Sequence, residues 1–324
     1  MSERILAGYV LPGLPHPLLC PEKNAGYQRL ADAFGRVGDE IREQKPDLIL
    51  LYSTMWPSVI GHQIQSRPEP EWIHVDELFH DLGSIPYKFR IDSAFANAYC
   101  EASQQRGLAV RTVNYHGFPI DTGSVVALKL INPNNEIPAV ITSSNVYADR
   151  SETVVFGKAA VDALDSQNKT AVAIVISTLS NRVHQTFIDE ADDHIHSQKD
   201  EEWNQKLLEL FEKGRLEDVA QLSRQVHREA RVHKVNNFKS MWWLSTVMGA
   251  HNRYRGDVMA YEPVAGTGSA IVGIQPADHA ARDLEFDEGS PESFAGDRNV
   301  LASLDASAGL SSQTLDPGSG EGEQ

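Results

Sequence analysis

The chain has 324 residues, 41% of them hydrophobic and 23% charged, with a formal net charge of −16. That is enough apolar content for a full core in one large domain or two ordinary ones. The acidic balance argues against nucleic acid as a partner, because no basic field is present to attract phosphate. No apolar run reaches membrane-spanning length. Met1-Ser2-Glu3-Arg4 leads straight into a strand-like segment without a signal-peptide pattern. A cytoplasmic protein with no membrane partner is therefore expected. Two cysteines, Cys20 and Cys100, make no disulfide framework and fit a reducing compartment. Each reads as a small buried apolar residue rather than a catalytic thiol.

Ile5–Leu11 is the first predicted strand, and it breaks into Pro12-Gly13-Leu14-Pro15-His16-Pro17. Leu30, Phe34, Val37 and Ile41 then repeat at the spacing of a packed helical stripe, which Pro46 ends. Asp47–Tyr52 is an unbroken apolar strand of the buried, parallel kind. It breaks into Ser53-Thr54-Met55-Trp56-Pro57, with Gly61-His62 a turn later. The polar stretch from Gln63 to Lys88 reads as loop with one or two edge strands. A helix follows with Ile91, Phe95, Ala98 and Tyr99 on one face, stopping at Gly107. Leu108–Val113 and Pro138–Thr142 are further strands, with a short helix Ser124–Ile131 between them whose N-cap is predicted at Asp121-Thr122-Gly123. A helix near Ser151–Leu164 leads to Ala171–Ile176, the most strand-like run of the chain.

After Ser177 the pattern changes. An acidic loop precedes a helix with Trp203, Leu207, Leu210 and Phe211 on one face, then helices over Leu216–Lys234 and Phe238–Met248. Gly266-Thr267-Gly268 reads as a turn into a last strand, Ser269–Ile274. Five strands alternating with helices predict an α/β fold, a three-layer α/β/α sandwich on a mainly parallel sheet. The domain is expected over residues 1–274. From Gln275 to Gln324 there are eleven acidic and two basic residues, a net of −9, in a stretch rich in Gly, Ser and Ala. Residues 275–324 are therefore expected to form a disordered acidic tail.

Strands that end in Pro/Gly/His-rich loops are where open α/β sheets place their chemistry. His16 and His62, with Trp56 as an aromatic wall, read either as a metal or acid/base centre or as hydrogen-bonded histidines that shape two loops. Asp189-Glu190-Ala191-Asp192-Asp193-His194-Ile195-His196 is dense in potential ligands, yet reads more simply as a solvated loop. Arg224, Arg228, Arg231 and Lys234 form a basic stripe, either for docking an acidic surface or for neutralising nearby carboxylates. His227 and His233 are six apart and share no face as a zinc pair would.

The order of these loops resembles the class III extradiol, protocatechuate 4,5-dioxygenase-like ring-cleavage family over roughly residues 4–274. The resemblance implies that catalytic relatives hold Fe(II) with two histidines and a glutamate, with a further histidine as acid/base. Such relatives end the first strand with a pair of histidines; here the liganding position is Gly13, and only the second survives, as His16. Their second strand ends in Ser-x-His-Trp; here Ser53, Trp56, Gly61 and His62 match, but the ligand position is Met55. Their acid/base histidine follows a Leu-Ser pair; here Leu179-Ser180 is followed by Asn181. The glutamate would fall near Ala230–Val235, where this chain has His233 and Lys234. Glycine offers no donor, a thioether suits Fe(II) poorly, and an amide cannot shuttle protons near neutral pH.

The resemblance thus implies a chain with no catalytic residues and no metal of its own. Gly13, His16, Met55, Trp56, His62 and Asn181 would be the remains of a pocket. It further implies a homologous catalytic beta subunit carrying Fe(II), an α2β2 assembly, and cleavage of 2-aminophenol with O2 to 2-aminomuconate 6-semialdehyde by the complex. Two alternatives remain. One is an active single-chain metalloenzyme whose ligand set is rebuilt from His16, His62, His184 or His233. The other is a small-molecule binder reusing the cleft beside Trp56.

Overall fold

The structure is a computed structural model that describes residues 4–229, 239–249 and 253–278. The segment 279–324, which holds nearly all of the expected acidic tail, lies outside the described residues. So do Arg231, His233 and Lys234, and likewise the side chains of Arg224, His227 and Arg228.

In chain order the elements are β1 (Ile5–Leu11), α1 (His16–Leu19), α2 (Ala25–Gln44), β2 (Leu48–Ser58), β3 (His62–Gln65), β4 (Glu71–Val75), β5 (Ser84–Lys88), α3 (Ser93–Gln105), β6 (Val110–Val113) and α4 (Thr122–Ile131). They continue with β7 (Ala139–Asn145), α5 (Arg150–Gln167), β8 (Ala171–Ile176), α6 (Gln198–Glu212), α7 (Leu216–Glu229), α8 (Lys239–Met248), β9 (Tyr254–Val264) and β10 (Thr267–Pro276). An 8-stranded sheet runs in the order β6-β3-β7-β2-β8-β1-β10-β9, and β4 with β5 forms a separate hairpin.

The centre of the sheet is parallel, with β8 between β1 and β2. All six residues of β8 are buried, as a strand covered on both faces requires. The two faces carry separate apolar cores. One packs Leu30, Phe34, Val37 and Ile41 of α2 and the apolar face of α4 onto Leu51, Ile174 and Ile176. The other packs α3, α5, α6, α7 and α8, with Trp243 and Phe156 at its centre, onto Tyr52, Val175 and Val10. The expected three-layer α/β/α architecture is present. Among the described residues no helix is long and apolar enough to cross a membrane.

The helix ends follow local chemistry. Asn24 caps α2 by accepting from the Gly26 amide, and Asp92, Asp149 and Ser197 cap α3, α5 and α6 in the same way. Lys45 adopts φ 52° at the C-cap of α2, just before Pro46.

Two expectations are corrected. The stretch expected to give only edge strands contains β3, which lies inside the main sheet between β6 and β7. Its His62 start follows Gly61 at φ 66°, where a Cβ would run into the Ala109 carbonyl, so the tight entry needs glycine. The second correction is β9, which is absent from the sequence reading. It pairs antiparallel with β10 through the turn Ala265-Gly266, and its mostly half-exposed face mixes polar and apolar residues, so it lacks the alternation that marks a strand.

Candidate functional site

The carboxyl ends of β1 and β2 approach each other across the last residue of β8. The ladder between β2 and β7 is regular to Ser53 and resumes at Pro57, so Thr54, Met55 and Trp56 bulge out of it. The Thr54 hydroxyl donates to the Ile176 carbonyl at 2.7 Å, and the Ser177 amide donates to Leu11, tying the three strand ends together. Asp121, the N-cap of α4, accepts from Ser53 Oγ at 2.7 Å, from the Ser124 amide at 3.0 Å and from Ser124 Oγ at 2.6 Å. The Met55 amide donates in turn to Ser53 Oγ at 3.2 Å. The cap predicted from sequence thus also braces the bulge.

This bracing brings Gly13, Met55, Gly123 and Ile176 into mutual contact. A Cβ at Gly13 would collide with Met55 Sδ, lie 2.7 Å from Ile176 Cγ2 and 2.9 Å from the Gly123 Cα. A Cβ at Gly123 would lie 2.5 Å from the same Ile176 methyl and 2.9 Å from Met55 Sδ. The space between the loops is filled by a thioether and a methyl group. Glycine and methionine supply no hard donor there, and an imidazole at position 13 has no room. The residues present do not fit an Fe(II) ion at this place.

The other predicted residues do not converge on it. His16 opens α1, is 3% exposed and sits edge-on to Tyr27 and Phe79, with ring centroids at 5.2 and 4.6 Å. Burial lowers its pKa, against the opposing pull of Asp193 and Glu190. His62 lies on the other face of the sheet, fully buried and stacked on Phe156 at 4.2 Å. Its Nε2 stands 3.5 Å from Glu152 Oε1, and this contact lowers the Glu152 pKa. A shared centre of His16 and His62, one of the two sequence readings, is ruled out by the sheet between them. Trp56 is half-buried and tilts against Phe118 at 5.7 Å. Asn181, also half-buried, follows Ser180, which is pinned by Asn204 and the Gly268 amide. Both cysteines are free and buried, and burial pushes the Cys20 thiol up to about 11, so it is not a thiolate near neutral pH.

A model described as the catalytic LigB subunit of aromatic ring-opening dioxygenase matches residues 12–273. The chain belongs to the LigB family. It is 32% identical to a 2-aminophenol 1,6-dioxygenase alpha subunit from Pseudomonas sp over 270 residues, covering 83% of this chain and 98% of that one. It is 29% identical to a 2-aminophenol 1,6-dioxygenase beta subunit from Pseudomonas sp, over 84% of this chain and 94% of that one. The 3,4-dihydroxyphenylacetate 2,3-dioxygenase of Escherichia coli is 20% identical over 62% of this chain and 75% of its own length. Among solved structures, an uncharacterized protein, JW3007 from Escherichia coli K12, superposes with a TM-score of 0.58 at 13% identity. That superposition covers 83% of this chain and 99% of the other, and it shows the fold alone.

In this LigB-family chain the acidic stretch 189–196 has a structural role that sequence spacing did not reveal. Asp193 accepts from Tyr27 Oη at 2.6 Å and from the amides of Ala265 and Gly266 at 2.5 and 3.1 Å. One carboxylate therefore closes the β9–β10 turn onto α2; burial raises the Tyr27 pKa, and the hydrogen bond to Asp193 adds to the rise. His194 and His196 gather on His184, at ring-centroid distances of 4.9 and 5.6 Å. Nε2 of His184 is 3.0 Å from the His194 carbonyl oxygen, within hydrogen-bond reach. Among the described residues no group of three or more His, Cys, Asp or Glu is arranged to hold a metal ion. Sequence reasoning also missed a link between the hairpin and α4. Thr122 donates to Asp76 at 2.5 Å and lies 2.6 Å from His74 Nε2, so the imidazole nitrogen is the donor in that contact.

Proposed function

We propose that this chain is the non-catalytic alpha-type subunit of a heteromeric 2-aminophenol 1,6-dioxygenase, working in the cytoplasm. Its partner is a homologous beta subunit that carries the Fe(II), in an α2β2 assembly. The complex cleaves 2-aminophenol with O2 to 2-aminomuconate 6-semialdehyde, and this chain stabilises the partner through its interface. The observation that carries the reading is the packing at the strand ends: Met55 Sδ and Ile176 Cγ2 fill the space over Gly13, where a catalytic relative would place a liganding imidazole. Asn181 supports it, since an amide in the place of the acid/base histidine cannot move a proton near neutral pH. Similarity to both the alpha and the beta subunit of one enzyme supports a partner of the same fold.

The test is co-purification. The chain expressed alone is expected to contain no stoichiometric iron by elemental analysis and to turn over no 2-aminophenol. Co-expressed with a homologous chain that retains the histidines, it is expected to elute as a larger heteromer with iron-dependent ring cleavage. Iron at one per chain with turnover in the isolated protein would refute the proposal.

A further inference from the structure

The β4–β5 hairpin stands outside the main sheet, and its two edges are built differently. Glu71 faces Lys88, Ile73 faces Pro86 and Val75 faces Ser84 across the hairpin. The Phe89 amide donates to the Pro70 carbonyl and the Ile91 amide to the Pro68 carbonyl, extending the same ladder. Antiparallel bonding alternates along a strand, so Trp72 and His74 bond to β5, and the main-chain groups of Glu71, Ile73 and Val75 point to the free edge of β4. Among the described residues no main-chain hydrogen bond meets them there. The outward positions of β5 are Ser84, Pro86 and Lys88. A proline without a donor and a lysine are the means by which strand edges avoid pairing. β4 has neither within its span, and its Trp72, Ile73 and Val75 are 49%, 63% and 47% exposed.

We propose that the free edge of β4 pairs antiparallel with the same strand of a second copy of this chain, joining two hairpins into one continuous sheet. A two-fold axis through Ile73 sets this residue against its own counterpart and Glu71 against Val75, each pair exchanging both main-chain hydrogen bonds. No like charges oppose each other in that register. Charge selects the occupant. The chain carries a net charge of −16, yet the two shallow depressions that share Glu71 and Trp72 set Arg67 and Lys88 against Glu69 and Glu71. Lys88 is held there, 3.3 Å from Glu69 and 3.8 Å from Glu71. An equally acidic copy can approach at such a balanced patch, whereas a basic partner finds no net charge to attract it. A strand of 5 residues buries less than the ~800 Å² per partner of a stable interface. Leu78, just past β4, and Tyr115, between the lining residues Asn114 and His116, extend the surface at 69% and 71% exposure. The contact belongs to this chain alone, so it stands or falls apart from the non-catalytic reading.

Sedimentation equilibrium of the full-length chain tests it. Wild type is expected to dimerise at micromolar concentration, and more tightly as salt rises, because screening weakens the repulsion between two acidic chains. Ile73→Lys sets two ammonium groups against each other on the axis and is expected to raise the dissociation constant at least about tenfold. Ile73→Pro removes the outward amide while Trp72 and His74 stay bonded to β5, and is expected to act in the same direction. Both changes fall on an exposed side chain, and circular dichroism is expected to show a wild-type fold. Ile60→Lys, at an exposed apolar residue before β3, is the control and is expected to leave the dimer intact. Ile73→Cys is expected to join two chains through a short bis-maleimide, since Cys20 and Cys100 are buried, and Ile60→Cys is not. A monomer throughout the micromolar range would overturn the proposal. So would a dimer that both Ile73 variants leave intact or that salt dissolves. A chain that is monomeric alone, and whose assembly with a homologous chain Ile73→Lys blocks, would give the edge to that partner and equally overturn the second copy.

Discussion

Replacing Gly13 with alanine is the sharpest perturbation of the packed strand ends. Gly13 does not lie at positive φ, so the backbone itself accepts alanine. By stiffening the unfolded chain the substitution would stabilise the fold by about 0.4–1 kcal/mol if space allowed. Space does not allow it. The new Cβ collides with Met55 Sδ and meets Ile176 Cγ2 at 2.7 Å and the Gly123 Cα at 2.9 Å. The thioether can swing aside, but the Gly123 contact is backbone on a helix start held by the Asp121 cap. Overpacking of this kind costs about 1–3 kcal/mol, and a backbone neighbour puts it near the upper end, so the net loss is about 2 kcal/mol. At about 2–4 °C per kcal/mol for domains approaching this size, thermal melting falls by roughly 5 °C. Adding Met55→Ala relieves one of the three contacts, and a double-mutant cycle is expected to show coupling of about 1 kcal/mol. A Gly13→Ala chain as stable as wild type would refute the reasoning, for it would show that the strand ends are not closed on each other.

Further predictions follow from the same contacts. Gly13→His with Met55→His places two imidazoles at the strand ends, yet elemental analysis is expected to find no stoichiometric iron, because Ile176 and Gly123 still fill the space. Asp121→Ala removes the α4 cap and its bonds to Ser53 and Ser124, and chemical denaturation is expected to show a loss of about 1–2 kcal/mol. Gly61→Ala places a side chain at φ 66° against the Ala109 carbonyl and is expected to cost at least about 2 kcal/mol by the same assay. The lowered His16 pKa fixes the sign of a pH effect. The unfolded chain takes up the proton at the ordinary value of 6.5 and the folded chain only below it, so stability is full above pH 6.5 and falls as pH drops through that window. His196 contributes in the same direction. Urea midpoints measured from pH 8 to pH 5 are expected to decline less in His16→Phe than in wild type, and an unchanged decline would refute the assignment.

Much of the fold is legible in the chain because its signals are local. The α2 stripe Leu30, Phe34, Val37 and Ile41 and the apolar run of β8 are repeats that one face or one buried strand imposes on neighbouring residues. Asp121 announces its cap for the same reason. β9 escaped because its partner β10, not its own alternation, makes it a strand. β3 read as an edge because its four residues gave no hint that β6 and β7 flank them.

The candidate site divides along the same line. The residue types at Gly13, Met55 and Asn181 are facts of the sequence, and their want of donor atoms and of a proton shuttle follows from side-chain chemistry alone. That His16 and His62 lie on opposite faces of the sheet was decided by the tertiary structure, because strand order, not chain separation, determines which loops meet. The tertiary structure also decided that Met55 and Ile176 fill the space above Gly13, a contact among residues of β2, β8 and the loop after β1. It decided, too, that an acidic stretch read as solvated loop places Asp193 at the back of a cavity walled by His16. Donor atoms belong to residues one at a time, whereas the room for a metal or a ring belongs to surfaces that only folding brings together.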